Sequence, residues 1–355
     1  MNNFFKKINN HWIFTFIFIA FFLKIILYFL IKNNFLSASL GGGSDASYYH
    51  SYAMGMIDVA VNIWPSILRY FNEIGLYSRE YFSFILFLLN LMIIPLLSVR
   101  ISGLNFNTNQ KNYLYLILIC TLYPTLFFYS VDVYRDVFMV FIFLIGVLVV
   151  KNALNSKEFI VFCILYIFAV IIGLFLLDLR PYLGYAFLLS LILWKINFSK
   201  RRLILFSLFY FSGLFFANLL GFFEGLTEYR SGFEEVGGGS TLGLNFSNPI
   251  MFVPNFILSI LGQLFGLYIT NPIAFLLFTI ETIPFFLMLL YIVKNISLAD
   301  NFIRFLIIFF VLYASVWLIG NDNLGTAVRL RFYNYFAVYI CFFYILQIKA
   351  VKKNR

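Results

Sequence analysis

Four stretches gather side chains that could do chemistry in a chain with few of them. In GGGSDASYYHSYAMG (41–55) the acid Asp45 precedes His50, one of only two histidines, and Tyr48, Tyr49 and Tyr52 lie beside them. A carboxylate here suits general-base work on a sugar hydroxyl. The tyrosines offer the apolar faces and hydroxyls that a carbohydrate needs. His50, four to five residues further along a helix, is expected to face the same pocket as Asp45. The competing reading is structural: Ser44 or Asp45 caps the following helix by accepting from its first amides.

The other candidates are arginines beside acids. YPTLFFYSVDVYRD (123–136) ends on Arg135 and Asp136, LDLRPY (177–182) holds Asp178 and Arg180, and GTAVRLR (325–331) holds Arg329 and Arg331. A guanidinium fork grips phosphate bidentately. Ion pairing at helix ends or snorkelling of a long side chain explains one or two such residues equally well. Four of them beside acids favour an anionic headgroup such as a pyrophosphate. Glu281, in LLFTIETIPFFLM, is the one acid deep within an apolar run. It is either a functional group or the partner of an arginine on another span. No metal-ligand spacing stands out, and Cys120, Cys163 and Cys341 lie in apolar runs without a CxxC pattern. No metal and no cofactor is therefore expected.

The elements that must position these residues are membrane spans. The 355 residues are 63% hydrophobic and 11% charged, against about 25% charged in soluble domains. Apolar runs near the ~20 residues that a bilayer-crossing helix needs recur from end to end. The expected fold is therefore all-α, a polytopic helix bundle forming one integral membrane domain over 1–355. Spans are read at 12–32, 82–99, 112–129, 137–151, 159–177, 182–195, 203–220, 273–293, 304–319 and 332–348, ten or eleven in all. The first is longer than a signal-peptide core and lacks a cleavage site, so it reads as retained.

Alternating these ten spans from a cytoplasmic Lys6 and Lys7 puts Arg100, Lys111, Lys151, Lys200, Arg201, Arg202, Lys294 and the tail Lys349–Arg355 inside. Both termini are then cytoplasmic, as the positive-inside rule favours. The net charge of +10 becomes an insertion signal, and nucleic acid drops out as a partner. The run at 251–269 would reverse the tail if it crossed, so it reads as re-entrant or interfacial. Two long outer loops follow, 33–81 and 221–272. The first is read as carrying one amphipathic helix over 45–71, anchored by Trp64, Tyr70 and Phe71. The second, rich in glycines and acids, is read as a mobile lid. The candidate clusters all fall on the outer side.

GGSDASYYHSYA, YPTLFFYSVDVYRD, LRPY, IET and NLGTAVRLRFY, in this order, resemble Wzy-type O-antigen or capsular polysaccharide polymerases. That family shares features with polytopic GT-C-like glycosyltransferases using polyprenyl-linked donors. The resemblance implies a multi-pass protein of the bacterial inner membrane, acting on its periplasmic face to join undecaprenyl-pyrophosphate-linked glycan units. It implies Asp45 as base, with His50 and Arg180 also catalytic. Arg135, Asp136, Arg329, Arg331, Tyr48 and Tyr49 would bind the substrate, the arginines stabilising the departing pyrophosphate. Membrane lipids are further partners, and a chain-length regulator is left open. The alternatives are a transferase of single sugars from undecaprenyl phosphate and, from another class, a flippase for lipid-linked oligosaccharide.

Overall fold

The computed structural model describes residues 10–36, 43–196, 200–235, 241–246 and 248–353. Among the described residues the chain is helical, with no strand and one isolated bridge between Thr241 and Asn323. Seven of the helices are long and apolar enough to cross a membrane, so this is a polytopic helical membrane protein. The chain forms two compact units, Met1–Gly184 with Tyr339–Arg355, and Tyr185–Val338.

In the first unit, α1 (Asn10–Lys32) turns Ile13, Ala20, Lys24 and Tyr28 inward and leaves Phe14, Phe18, Phe22, Ile26 and Phe29 exposed. A helix with apolar side chains on its exposed faces fits lipid, not water. Tyr28 stacks on Phe87 at 4.3 Å, and Lys24 Nζ lies 5.4 Å from the Phe127 ring centre.

Two short helices, α2 (Gly43–Ala53) and α3 (Ile63–Glu73), follow. One continuous helix over 45–71 does not form, because Gly55 takes a left-handed φ of +76° and closes α2. The amide of Met56 then bonds the Ser51 carbonyl and that of Gly55 the Tyr52 carbonyl, the paired ending that a glycine just past a helix permits. Nor does Trp64 anchor at an interface. It is buried, its indole N–H donates to the Val133 carbonyl at 2.9 Å, and its ring packs 4.8 Å from that of Phe138. Tyr70 stays exposed.

Helix α4 (Arg79–Ile101) is capped by Ser78, whose hydroxyl accepts from the Tyr81 amide. The apolar run at 112–129 is broken into α5 (Phe106–Thr121) and α6 (Pro124–Phe128). Pro124 has no N–H to continue the ladder, and Tyr123 before it is extended, as residues preceding proline tend to be. Helices α7 (Arg135–Asn155) and α8 (Phe159–Leu179) form a hairpin; Arg180 is extended and Pro181 opens α9 (Pro181–Leu193).

The second unit runs through α10 (Lys200–Leu219), α11 (Glu224–Glu235), α12 (Pro249–Leu264), α13 (Pro272–Lys294), α14 (Asn301–Gly320) and α15 (Leu324–Leu330). Helix α16 (Phe332–Lys353) begins in this unit and ends in the first. Its core is aromatic: Tyr335 stacks on Phe285 at 3.9 Å, and Tyr313 packs edge-on against Tyr333 at 5.3 Å. At ~1.5 Å per residue α12 is about 24 Å long, short of a ~30 Å hydrocarbon core.

Three long helices contain one widened π turn each: Leu89–Ile93 in α4, Ile260–Leu264 in α12 and Phe278–Thr282 in α13. The turns carry buried polar residues: Asn90 in the first, Gln263 in the second, and Glu281 with Thr282 in the third.

Candidate functional site

The first unit gathers polar groups where α2 meets the head of α4. Ser78 ends an extended approach and caps α4, so Tyr77 and Arg79 flank a fixed point. The Arg79 guanidinium grips Asp132 with two hydrogen bonds, Nε to Oδ1 at 2.9 Å and Nη2 to Oδ2 at 2.7 Å. Its Nη2 also reaches the Ser47 hydroxyl of α2 at 3.5 Å. Three residues along α2, His50 Nδ1 lies 3.0 Å from the Tyr77 hydroxyl. Ser47 and His50 therefore share the face of α2 turned toward 77–79.

Two groups outside the spans are tuned by this packing. Burial pushes the Asp132 carboxyl up, but the Arg79 hydrogen bonds, the Val133 amide and the nearby Lys32 outweigh it and hold the group below its ordinary value. Burial pushes the Tyr77 hydroxyl up to about 12, against the opposing pull of the Arg79 charge.

Asp45 occupies the first turn of α2. A carboxylate in the first turn complements the helix dipole. Five residues at 3.6 per turn set His50 about 140° round the helix from Asp45 and ~7.5 Å along it. The two are not brought onto one face. Tyr49 packs inward, buried, with its ring 6.1 Å from that of Tyr48, and the Tyr48 hydroxyl donates to the Val59 carbonyl. Most of the glycines before Asp45, and 237–240 of the later GGGST, lie outside the described residues.

Deeper in the same unit, Asp136 and Arg180 form a buried ion pair, Nη2 to Oδ1 3.4 Å. Arg180 also sits over the Tyr182 ring at 5.8 Å. Arg135, at the head of α7, donates from Nη1 to the Leu179 carbonyl at 3.0 Å, while its buried Nε makes no hydrogen bond among the described residues. Asp178 points outward, exposed, and does not join them.

In the second unit Arg331 donates from Nη2 to Glu281 Oε2 at 2.7 Å, both side chains buried. Arg331 also lies 5.2 Å from the Tyr335 ring, whose hydroxyl donates to the Leu264 carbonyl at 2.8 Å. Of the two readings open for Glu281, pairing with an arginine is the one found. Arg329 is buried on α15. Arg180 and Arg331 are thus interior halves of ion pairs, not surface anchors.

The loop expected to be a mobile lid is fastened over its described part. Arg230 of α11 is buried, pairs with Asp322, and donates to the carbonyls of Leu244, Leu318, Ile319 and Asn321 at 2.7–3.2 Å. Asp322 in turn accepts from the Gly243 amide at 2.9 Å. Gln263 donates to the Asn321 carbonyl at 2.8 Å and to Ser259 at 2.7 Å.

Asp132 stands out in the sequence only as part of the VDVYRD cluster, and Tyr77, Arg79, Arg230 and Gln263 were not singled out there as site residues. A lone glutamine in FILSILGQLFGLYI carried the same signal as Glu281 and was legible. The partners of Arg79 and Arg230 lie 53 and 92 residues away, and nothing local marks them. Among the described residues no group of three His, Cys, Asp or Glu side chains gathers as a metal-binding set.

Fold and site together define a multi-pass helical membrane protein with a hydroxyl-rich, charged cluster between its first two long helices. Compared with protein-family models, curated proteins and solved structures, the chain finds no match in any of the three.

Proposed function

We propose that this chain is a glycosyltransferase of the polysaccharide-polymerase kind, joining undecaprenyl-pyrophosphate-linked glycan units on the periplasmic face of the bacterial inner membrane. The observation that supports it is α2. One short helix after the first span carries a carboxylate, Asp45, in its first turn, and turns a hydroxyl and an imidazole, Ser47 and His50, toward Tyr77 and the Arg79–Asp132 pair. In this reading both termini are cytoplasmic and α12 is re-entrant or interfacial.

Asp45 takes the proton from a hydroxyl at the non-reducing end of the acceptor glycan. That oxygen bonds to the anomeric carbon of the donor as the bond from that carbon to the pyrophosphate oxygen breaks. The electron pair leaves with undecaprenyl pyrophosphate. Arg135 is the best-suited anion ligand of the four arginines, since only one of its nitrogens is held by a carbonyl. Arg180 and Arg331, each closely paired with a carboxylate, attract an anion less and act by holding shape; Arg329 remains a substrate contact in this reading.

The test is a deletion strain examined by lipopolysaccharide gel. Loss of the ladder with a single repeat unit retained is the expected result. Loss of one sugar from every unit means a single-sugar transferase, cytoplasmic build-up of carrier-linked unit means a flippase, and an unchanged ladder sinks the reading. Asp45→Asn and Arg135→Gln are expected to remove the ladder with the protein still in the membrane. Arg180→Ala is a poorer probe, because it strands Asp136 in the interior.

A further inference from the structure

The contact between His50 and Tyr77 decides how the imidazole is used. Nδ1 and the phenol oxygen are 3.0 Å apart, and one proton lies between them. Either the ring N–H donates to the phenol oxygen, or the phenol O–H donates to a bare ring nitrogen.

Three observations choose the second. A phenol is a good donor and a poor acceptor, since its lone pair is conjugated with its ring, whereas a bare imidazole nitrogen is a strong acceptor. The Tyr77 hydroxyl makes no other hydrogen bond among the described residues, so donation by His50 would leave the phenol proton no protein acceptor among them. Burial keeps the Tyr77 hydroxyl protonated at any physiological pH, so its proton is there to be donated.

The phenol is also held in place. Its ring packs against Phe82 at 5.4 Å and is tilted 33° to the imidazole with ring centres 5.8 Å apart, and the backbone on its far side is pinned by the Ser78 cap.

We propose that Tyr77 is a positioning residue for His50: its hydroxyl donates to Nδ1, holds the neutral ring as the Nε2–H tautomer, and so makes His50 a hydrogen-bond donor to a phosphate oxygen. The bond that one ring nitrogen makes sets the proton on the other. Nε2 engages no protein group among the described residues. With Ser47 on the same face, the side of α2 toward 77–79 offers donors, which suits the anionic oxygens of a pyrophosphate. A ring carrying its proton at Nε2 has no lone pair there with which to take one from a sugar, so the base is Asp45. The assignment of a phosphate oxygen rests on the glycosyltransferase reading above; the tautomer does not.

The chain has only two histidines, so a His11→Gln variant labelled with 15N-histidine and placed in nanodiscs reports His50 alone. At about pH 8, where an ordinary imidazole is neutral, a single Nε2–H tautomer is expected, its bare Nδ1 resonance displaced by the hydrogen bond. Tyr77→Phe keeps the packing and removes the donor, and is expected to erase that displacement and release the ring to a mixture of tautomers. An Nδ1–H tautomer, or a spectrum indifferent to Tyr77→Phe, overturns the proposal.

In cells, Tyr77→Phe is expected to lower polymer formation about two- to tenfold, the scale of one hydrogen bond. His50→Gln, which keeps an N–H near the place of Nε2–H, is expected to retain more polymer than His50→Ala. Equal loss in the two variants refutes the donor role. An unchanged ladder in the deletion strain refutes the polymerase and the phosphate ligand, whereas the tautomer stands or falls with the nitrogen spectrum alone.

Discussion

Glu281 and Arg331 let the stability of the second unit be dissected. The pair is 2.7 Å long with side chains 0% and 3% exposed, and it sits between α13 and the junction of α15 with α16. Removing one member leaves the other's charge in a dry site, which costs about 3–5 kcal/mol, or roughly two to three and a half orders of magnitude in the folding equilibrium. The two single changes are not equivalent. A stranded carboxylate can escape part of its cost by taking up a proton, and a guanidinium cannot. Glu281→Gln is therefore expected to lower thermal stability in detergent more than Arg331→Gln. Replacing both by apolar residues of similar volume, Glu281→Leu with Arg331→Met, removes the charges together and is expected to recover most of the loss. The assay is thermal unfolding of these four proteins, read by intrinsic fluorescence and size-exclusion of the heated protein. A double variant no more stable than Glu281→Gln, or a Glu281→Gln as stable as wild type, refutes the structural role and returns Glu281 to the candidates for chemistry.

Three further outcomes follow from single contacts. Arg230→Met strands the buried Asp322 and uncaps the carbonyls that end α14; it is expected to expose 221–248 to proteases, and Arg230→Lys is not expected to rescue it, because one ammonium cannot replace a five-donor fork. Gly266→Ala puts a side chain on a φ of +58° with its Cβ 2.9 Å from Arg331 Nη1, so a loss of about 1–2 kcal/mol is expected in the same melting assay. Asp132 is held below its ordinary value of 3.8, so the stability it contributes is present above that pH and is lost as the pH falls through its lowered folded value. Wild type is therefore expected to melt above Asp132→Asn at pH 7 and to lose that advantage under strong acid; a gap that persists there places the effect elsewhere than in the carboxylate.

Seven of the ten spans were legible because a bilayer imposes one demand on every stretch that crosses it, and an apolar run near 20 residues long meets that demand visibly; the runs at 112–129, 182–195 and 203–220 are not among the seven helices long and apolar enough to cross. Where helices stop was legible only in part. Pro124 signalled its break, but Gly55 closes α2 through a backbone bonding pattern that its neighbours MGM do not announce. The cluster at 77–79 was harder, since its strongest bond joins residues 53 positions apart, and a single sequence holds no record of which distant charge meets which.

The π turns lie between these cases. Each adds a residue to one turn of helix and so shifts the face that periodicity predicts, which is why a reading by 3.6-residue spacing passes over them. Two have a local cause. Pro95 and Pro284 each lack an N–H and crowd the carbonyl four residues back, and those carbonyls belong to Leu91 and Ile280, inside the turns Leu89–Ile93 and Phe278–Thr282. The widened turn relieves that crowding and leaves room for a buried polar side chain with a partner on another segment: Asn90 donates to Ser130 at 3.3 Å and Glu281 accepts from Arg331. A buried polar residue three to five positions before a proline in an apolar run is thus the pattern these two turns share. The turn at Gln263 has no proline after it and stops instead at the left-handed Gly266, so its position is set by the end of α12 and the Asn321 carbonyl it meets, contacts that exist only once the chain has folded.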